Sequence, residues 1–121
     1  MVTVIRNFII FLVLFLTTTD VSARKYFKVI NNIQGLSDNS VNYMAQDKHG
    51  FVWMATANGL SRYDGLMFTV YRHDAHNAFS LVQNDVLCLL PIDGGMYVAC
   101  TGGLDFYSFQ DGYFHRCRLS E

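Results

Sequence analysis

Short apolar runs alternate with polar turns over most of this chain. After residue 40 each run is bounded by Gly, Asp or Asn, which is typical of β-strands joined by tight turns. Helical periodicity is absent after residue 23. The pattern predicts strands over residues 41–46, 51–55, 60–63, 67–71, 86–90, 96–100, 104–109 and 113–118.

The same pattern occurs twice along the chain. At a spacing of about 45 residues, Leu36, Asn39, Val41, Gly50 and Thr56 recur as Leu81, Asn84, Val86, Gly95 and Thr101. A one-residue deletion near Asn58 then places Gly59, Leu60 and Tyr63 on Gly103, Leu104 and Tyr107. A period of this length, with aromatic strands and Gly turns, is typical of a β-propeller blade. We therefore predict an all-β fold, a partial β-propeller of about two four-stranded antiparallel blades after an N-terminal signal peptide.

The start of the chain has the pattern of an export signal. A positive charge precedes the unbroken apolar run Phe8–Leu16, and the small residues Val21–Ala23 follow it. The run is shorter than the roughly 20 residues that span a bilayer, although an uncleaved anchor is the alternative interpretation. We predict a signal peptide over 1–23, cleavage between Ala23 and Arg24, and no membrane span in the mature chain.

The mature chain divides into three predicted parts. Residues 24–34 contain a strand, Tyr26–Ile30, of the kind that closes a propeller ring; residues 35–72 form blade 1, and residues 73–121 form a connector and blade 2. Propellers have about 4 to 8 blades, and two blades alone leave apolar sheet faces uncovered. The prediction is therefore that the chain is a fragment, a truncated gene product or the N-terminal piece of a larger protein, and that its partners are the remaining blades.

Charge and cysteine content exclude several classes of function. The net charge of −1 and the lack of a Lys/Arg cluster argue against a nucleic-acid partner. Cys88, Cys100 and Cys117 are odd in number and have no CxxC spacing, so neither a disulfide framework nor a cysteine zinc site is predicted. Cys88 and Cys100, on adjacent strands, are expected to be buried free thiols.

Few side chains suggest chemistry. Trp53 lies in a predicted buried strand, so packing between blades is favoured over stacking on a sugar ring. Asp47 and Asp64 lie in turns, where a carboxylate accepts hydrogen bonds from nearby backbone N–H groups. Recurrence of Thr56 as Thr101 predicts a repeated side-chain bond at the end of the second strand of each blade.

The histidines give no catalytic or metal pattern. His73 and His76 flank Asp74 in a predicted loop without a third ligand at a recognisable spacing. His49 lies in a turn and His115 in a strand, each without an evident nucleophile. We predict no catalytic residue, no metal ligand and no cofactor, and the sequence does not identify ligand-binding residues.

The motifs of the first repeat resemble a known family. Gly35–Val41 reads GLSDNSV, Gln46–Thr56 reads QDKHGFVWMAT and Asn58–Gly65 reads NGLSRYDG. This resembles the two-component regulator propeller repeat, with its pattern GLSxNxV, DxxGxxWxxT and GLxxYD. The second repeat departs from the pattern, with Val98 in place of the Trp, Ser108 in place of the last Asp, and a shifted acidic turn residue at Ile92–Asp93.

The resemblance implies an exported sensory module. Members of this family form the periplasmic sensory part of hybrid two-component sensor histidine kinases, frequent in glycan-degrading gut bacteria. A complete member would add further blades, a β-sandwich, a membrane span, a kinase core, a receiver and a DNA-binding domain. The expected function is sensing of a ligand, an oligosaccharide above all, without enzyme activity in this chain; a homodimer is left open. The alternatives are a propeller-fold polysaccharide lyase or glycosidase, and a non-functional remnant.

Overall fold

A computed structural model describes residues 2–16 and 28–118 of the chain. The elements are a helix, α1 (Val2–Leu16), a short 3-10 helix (Asn32–Gln34), and strands β1 (Val41–Gln46), β2 (Val52–Thr56), β3 (Gly59–Tyr63), β4 (Phe68–Tyr71), β5 (Val86–Ile92), β6 (Gly95–Cys100), β7 (Gly103–Ser108) and β8 (Phe114–Cys117). Every predicted strand from residue 41 onward is confirmed, with ends that shift by one or two residues.

The strands form two antiparallel meanders. Sheet 1 has the order β1-β2-β3-β4, and sheet 2 has the order β5-β6-β7-β8. Tight turns join neighbouring strands because Gly and Asn residues supply the backbone conformations that turns require; Gly59, at φ 114°, begins β3 in this way. The prediction of two four-stranded antiparallel units is confirmed.

The N-terminal predictions are tested only in part. The apolar run lies within α1, and no helix in residues 2–16 or 28–118 is long and apolar enough to cross a membrane. The predicted cleavage site, Ala23 and Arg24, lies outside the described residues.

The predicted closing strand, Tyr26–Ile30, stays a prediction, because a strand of this kind pairs with a blade that is not among the described residues. Residues 28–30 form no strand, and a 3-10 helix follows at Asn32–Gln34. Asn31 begins that helix as its cap: its side chain accepts the Ile33 N–H at 2.8 Å, and the Gln34 side chain accepts the Asn31 N–H at 2.9 Å. No described strand lies alongside to supply a sheet partner. The remainder, Tyr26 and Phe27, lies outside the described residues.

The sheet register corrects the alignment of the two repeats. Both β1 and β5 carry a bulge at the same place, which aligns Tyr43 with Cys88. Beyond the bulges, the pair Gln46–Val52 of sheet 1 is equivalent to the pair Pro91–Met96 of sheet 2. The first pair encloses residues 47–51 and the second encloses residues 92–95, which is one residue fewer. The deletion therefore lies in this hairpin loop and not near Asn58.

The corrected register changes which residues correspond. Tyr97, not Val98, occupies the position of Trp53, because Trp53 pairs with Arg62 as Tyr97 pairs with Phe106. Thr101 corresponds to Ala57: the Ala57 N–H donates to Ser40 O and the Thr101 N–H donates to Asp85 O, both at 3.1 Å.

The predicted repeated threonine bond is therefore wrong. Thr56 Oγ1 donates to Gly59 O at 2.7 Å, whereas Thr101 Oγ1 donates to Gln83 Oε1 at 2.6 Å. Because Thr101 occupies the turn and not the end of a strand, its hydroxyl cannot make the bond that Thr56 makes.

The core lies between the two sheets. Sheet 1 contributes Trp53, Ala55 and Leu60, all with no exposed surface. Sheet 2 contributes Val86, Leu89, Met96, Val98, Cys100, Tyr107 and Phe114. Successive strand residues point to opposite faces, so sheet 2 directs Tyr97 and Ala99 away from sheet 1. The same alternation corrects the prediction for Cys88, which is exposed, while Cys100 is buried as predicted.

In each sheet the segment just before the first strand, here called the crossing segment, is held by a buried side chain of the third strand. In sheet 1 the Ser37 N–H donates to Ser61 Oγ at 3.0 Å. In sheet 2 the Val82 N–H donates to Asp105 Oδ2 at 2.7 Å, and Arg116 Nε donates to Oδ1 of the same carboxylate at 2.8 Å. Ser61 and Asp105 occupy the same register position, so the two blades share this device with different chemistry.

Candidate functional site

The β1–β2 hairpin is organised around one carboxylate. Asp47 Oδ1 accepts the His49 N–H at 2.9 Å and the Phe51 N–H at 3.1 Å, while Oδ2 accepts Trp53 Nε1–H at 2.7 Å. The predicted turn role of Asp47 is confirmed. The bond to Trp53 was missed, although the spacing of six residues across a hairpin loop places both side chains at its base.

Trp53 is the centre of the packing between the sheets. Its ring stacks on Tyr71 at 5.6 Å between centroids and lies 5.0 Å from the ring of Tyr107. The side chain has no exposed surface, so a sugar ring cannot stack on it in this arrangement. The predicted packing role is confirmed. Burial raises the pKa of Tyr71, and the hydrogen bond between its hydroxyl and that of Tyr107 acts in the same direction.

A cleft opens beside this tryptophan, between the β1–β2 loop of sheet 1 and the end of β7. Its volume is about 150 Å³, and its walls are Asp47, His49, Phe51, Trp53, Arg62, Tyr107 and Phe109. The His49 ring lies edge-on to Phe109 at 5.2 Å. The cleft thus combines aromatic walls with few polar groups, a composition that suits a small ligand or one end of a larger one.

Arg62 is the cation of this cleft, and the sequence analysis missed it. Its guanidinium lies 4.9 Å from the Phe51 ring and 5.7 Å from the Trp53 ring. Its Nη2 donates a long hydrogen bond to Thr69 Oγ1 at 3.5 Å. The sequence held one signal for Arg62. The Asn-Gly turn fixes the register of β2 and β3, and in that register Arg62 lies opposite Trp53. A guanidinium that lies beside aromatic rings keeps N–H donors for a carboxylate, a sulfate or a sugar hydroxyl.

The second predicted turn carboxylate also has a structural role. Asp64 Oδ1 accepts the Leu66 N–H at 2.8 Å and the Met67 N–H at 2.7 Å, which confirms the predicted turn role. These backbone bonds, first that of Met67 and then that of Leu66, lower the pKa of Asp64. An ionised carboxylate committed to two N–H donors is poorly suited to act as a general acid.

The histidines are dispersed. His73 Nδ1 lies 2.8 Å from Leu81 O, and His115 Nε2 lies 2.8 Å from Asp111 Oδ2 on the surface. The His76 N–H donates to Asp74 Oδ1 at 2.9 Å within the connector. Among the side chains of residues 28–118, no three of His, Cys, Asp and Glu are grouped so as to hold a metal ion.

The cysteines also lie apart from the cleft. Burial raises the pKa of the Cys100 thiol to about 11, so the thiolate is scarce near neutral pH and the side chain acts as a small apolar group. Cys88 is exposed on the opposite face of sheet 2.

Comparison with known proteins places these features in context. Residues 35–58 match the model of the two component regulator propeller family. The chain is similar to histidine kinase P4 of Formosa agariphila, with 40% identity over 55 residues, which are 46% of this chain and 4% of that protein. The predicted resemblance to the propeller repeat is confirmed.

A solved structure extends the similarity beyond the first repeat. The extracellular domain assigned to hybrid two component system BT3049 of B. thetaiotaomicron superposes with a TM-score of 0.69 and 28% identity. The match covers 77% of this chain and 13% of that domain. The chain therefore spans a small part of the length of both relatives.

Proposed function

We propose that this chain contributes two blades to the exported sensory propeller of a hybrid two-component system, and that it acts as a binding module. The observation that carries this proposal is the superposition of its two sheets on the extracellular domain of such a system. Further blades of the same propeller cover the free faces of the two sheets. The complete receptor lies in the periplasm and is anchored in the inner membrane, and ligand binding shifts the equilibrium between its signalling states.

The same proposal assigns an oligosaccharide ligand. Sugars with a carboxylate or sulfate suit the cleft, because the guanidinium of Arg62 is planar and presents paired donors beside an aromatic wall. His49 lies at the cleft beside Phe109 and adds a further polar group. A glycosidase is less well supported, because the cleft carboxylate Asp47 is committed to three N–H donors, whereas glycoside hydrolysis needs two carboxylates beside the scissile bond.

Calorimetric titration of the full chain with a panel of neutral, uronate-containing and sulfated oligosaccharides tests the ligand. We expect binding of an acidic member of the panel that weakens by about tenfold or more in Arg62→Gln, a loss of about 1.4 kcal/mol or more. Arg62→Lys retains the charge but not the planar donors, so its affinity should fall between the two. Leu66→Gln, at an exposed turn, is the matched control and should bind like the unsubstituted chain.

Two results would contradict this assignment. Release of new reducing or unsaturated ends from any oligosaccharide of the panel would indicate an enzyme. Equal affinity in Arg62→Gln and the unsubstituted chain would exclude the cleft as the binding site.

The export step has its own test. Mass spectrometry of the protein recovered from the periplasm should show an N-terminus at Arg24. Recovery of an intact Met1 terminus in the membrane fraction would instead support the uncleaved anchor.

A further inference from the structure

The cleft beside Trp53 is smaller than an ordinary ligand pocket. Its volume is about 150 Å³, whereas pockets that enclose a drug-sized ligand have roughly 300–1,000 Å³. An oligosaccharide held at Arg62 therefore extends beyond this cleft. The surface that adjoins the cleft must receive the rest of such a ligand.

A second cleft adjoins the first at His49 and Phe109. Its volume is about 470 Å³, and it shares these two residues with the cleft beside Trp53. The His49 ring lies edge-on to Phe109 at 5.2 Å between centroids, so the pair forms a common wall of the two clefts. One ligand can pass over this pair and contact both clefts, because they lie at the same end of the two sheets.

Hydrogen bonds of the fold hold both halves of this common wall. The Phe109 N–H donates to Gly94 O at 3.1 Å, which ties the end of β7 to the β5–β6 loop. On the side of sheet 1, the Asp47 carboxylate accepts the His49 N–H at 2.9 Å. The backbone on each side of the wall is therefore in place before a ligand arrives, which lowers the ordering cost of binding.

The second cleft has polar groups of both charges. Lys48 and Asp93 are exposed in it, and Ser108 and Gln110 complete its polar lining. Within residues 28–118, neither Lys48 nor Asp93 takes part in an ion pair. An ammonium group donates hydrogen bonds and a carboxylate accepts them, so together they suit the hydroxyl groups of an uncharged sugar. A second acidic sugar would instead lie against Asp93, and like charges repel.

We propose that the two clefts are adjacent subsites of one site, in which Arg62 binds an acidic sugar residue while Lys48 and Asp93 bind the uncharged sugar residue next to it. The site then recognises an acidic residue followed by an uncharged one, and not acidity alone. The inference rests on the proposed function, because it assigns the neighbour of the acidic sugar that the Arg62 cleft binds.

Fragments of two glycans test the second subsite with the full chain. Hyaluronan alternates glucuronate with an uncharged amino sugar, whereas polygalacturonate is acidic at every residue. Trp53 is the single tryptophan and lines the Arg62 cleft, so its fluorescence reports occupation of that cleft by a monosaccharide or by a longer fragment. We expect the hyaluronan disaccharide to bind about tenfold more tightly than glucuronic acid, because it adds hydrogen bonds to charged groups. Digalacturonate should gain less over galacturonic acid.

Two variants act on the second subsite. Lys48→Gln should lower the affinity for the hyaluronan disaccharide about threefold or more, with no change for glucuronic acid. Gly94→Phe should reduce the affinity for the disaccharide to that for glucuronic acid, because its ring occupies the second cleft. A Cβ added at Gly94 meets no atom within 4 Å, so the fold accommodates this substitution, which circular dichroism checks. Lys28→Gln removes the same charge outside both clefts and is the matched control.

Three outcomes would overturn the inference. They are equal affinity for glucuronic acid and the hyaluronan disaccharide, tighter binding of digalacturonate than of the hyaluronan disaccharide, and disaccharide binding that neither Lys48→Gln nor Gly94→Phe weakens. Any of these, found together with binding that Arg62→Gln weakens, would reject this inference and leave the proposed function standing. Absence of binding through Arg62 for every fragment would instead reject the proposed ligand, and the second subsite with it.

Discussion

The two sheets have the same backbone plan but hold it together with different side chains. In sheet 1 Asp47 closes the first hairpin and fixes Trp53, and Ser61 holds the crossing segment. In sheet 2 the hairpin loop is one residue shorter, Tyr97 replaces the tryptophan, and Asp105 does the work of Ser61. What recurs is the register and the positions of the hydrogen bonds. The repeat is therefore better recognised by strand pairing than by residue identity.

The difference between Trp53 and Tyr97 follows from what covers each residue. Trp53 is enclosed, and its Nε1–H would be buried without a partner if Asp47 were absent. Tyr97 is 37% exposed and packs against Phe106 at 5.1 Å between ring centroids. We therefore expect these two equivalent positions to contribute unequally to the free energy of unfolding, which mutation of each residue measures.

Replacement of Trp53 should have the largest effect. Trp53→Ala removes the ring at the centre of the core, and we expect a loss of about 3–5 kcal/mol in the free energy of unfolding. Tyr97→Ala at the equivalent position should cost about 1 kcal/mol, because much of its surface is already in water. Denaturant unfolding followed by circular dichroism measures both.

A milder variant and a contradicting outcome complete this test. Trp53→Phe retains most of the packing and should fall between the wild type and Trp53→Ala, which keeps the test usable if the alanine variant does not fold. Equal costs for Trp53→Ala and Tyr97→Ala would show that the two positions are equivalent in energy as well as in register.

The next largest effect on the free energy of unfolding compares Asp105 with Ser61, the two side chains that hold the crossing segments. Asp105→Ala leaves the buried Val82 N–H and the Arg116 guanidinium without their acceptor, and hydrogen bonds to charged groups contribute about 1.5–3 kcal/mol. Ser61→Ala removes neutral hydroxyl bonds and should cost about 1 kcal/mol. Chemical denaturation with matched protein concentrations compares the two. A larger loss in Ser61→Ala would mean that the carboxylate contributes no more than a hydroxyl.

Asp47 should have an intermediate effect on stability. Asp47→Asn keeps one oxygen for the loop N–H groups but loses charge and can place an amide against Trp53 Nε1–H, so we expect a loss of about 1–2 kcal/mol. Asp93→Asn, in the equivalent hairpin of sheet 2, is the control and should be nearly neutral. Trp53 is the single tryptophan of the chain, so its fluorescence reports on this contact. Unchanged emission and stability in Asp47→Asn would remove Asp47 from the packing of Trp53.

The strands and turns were predictable because they depend on local signals. Apolar runs between Gly, Asn and Asp residues predicted the strands of residues 41–118 to within one or two residues. Alignment of the repeats was less reliable, because chance identities such as Gly50 with Gly95 outweighed the register, which depends on hydrogen bonds between strands. The predicted closing strand at Tyr26–Ile30 stays a prediction, because a strand needs a neighbour that the local sequence does not specify.

The cleft was less predictable than the fold. Asp47 and Trp53 were recognised one at a time, and their mutual bond depends on the bend of the hairpin loop. Arg62 was missed because its significance comes from Phe51 and Trp53 on the neighbouring strand. Cys88 was expected to be buried but is exposed. Periodicity shows which residues share a face of the sheet, but it does not show which face a neighbouring sheet covers.

The smallest predicted effect concerns the third hairpin of each sheet, where Asp64 and Asp111 each accept backbone N–H bonds in the turn. Backbone N–H bonds lower the pKa of Asp64, first from Met67 and then from Leu66. For Asp111 the Tyr113 N–H is the largest cause of a lowered pKa, and His115 adds a further lowering. A carboxyl whose pKa is lower in the folded state stabilises the fold above its unfolded pKa, and this stabilisation is lost as the pH falls through the folded pKa. Both turns should therefore loosen only below about pH 3.8, the ordinary pKa of an Asp side chain.

Carboxyl titration by NMR separates the two turns. His115→Gln should raise the pKa of Asp111 only in part, because the Tyr113 N–H remains, and should leave that of Asp64 unchanged. Added salt should reduce the contribution of His115, since both side chains of this pair are about half exposed and surface charges are screened. A return of Asp111 to its ordinary pKa in His115→Gln would mean that the ion pair, and not the turn, sets its titration. In that case the two turns would hold their carboxylates by different interactions, just as Ser61 and Asp105 hold the crossing segments by different side chains.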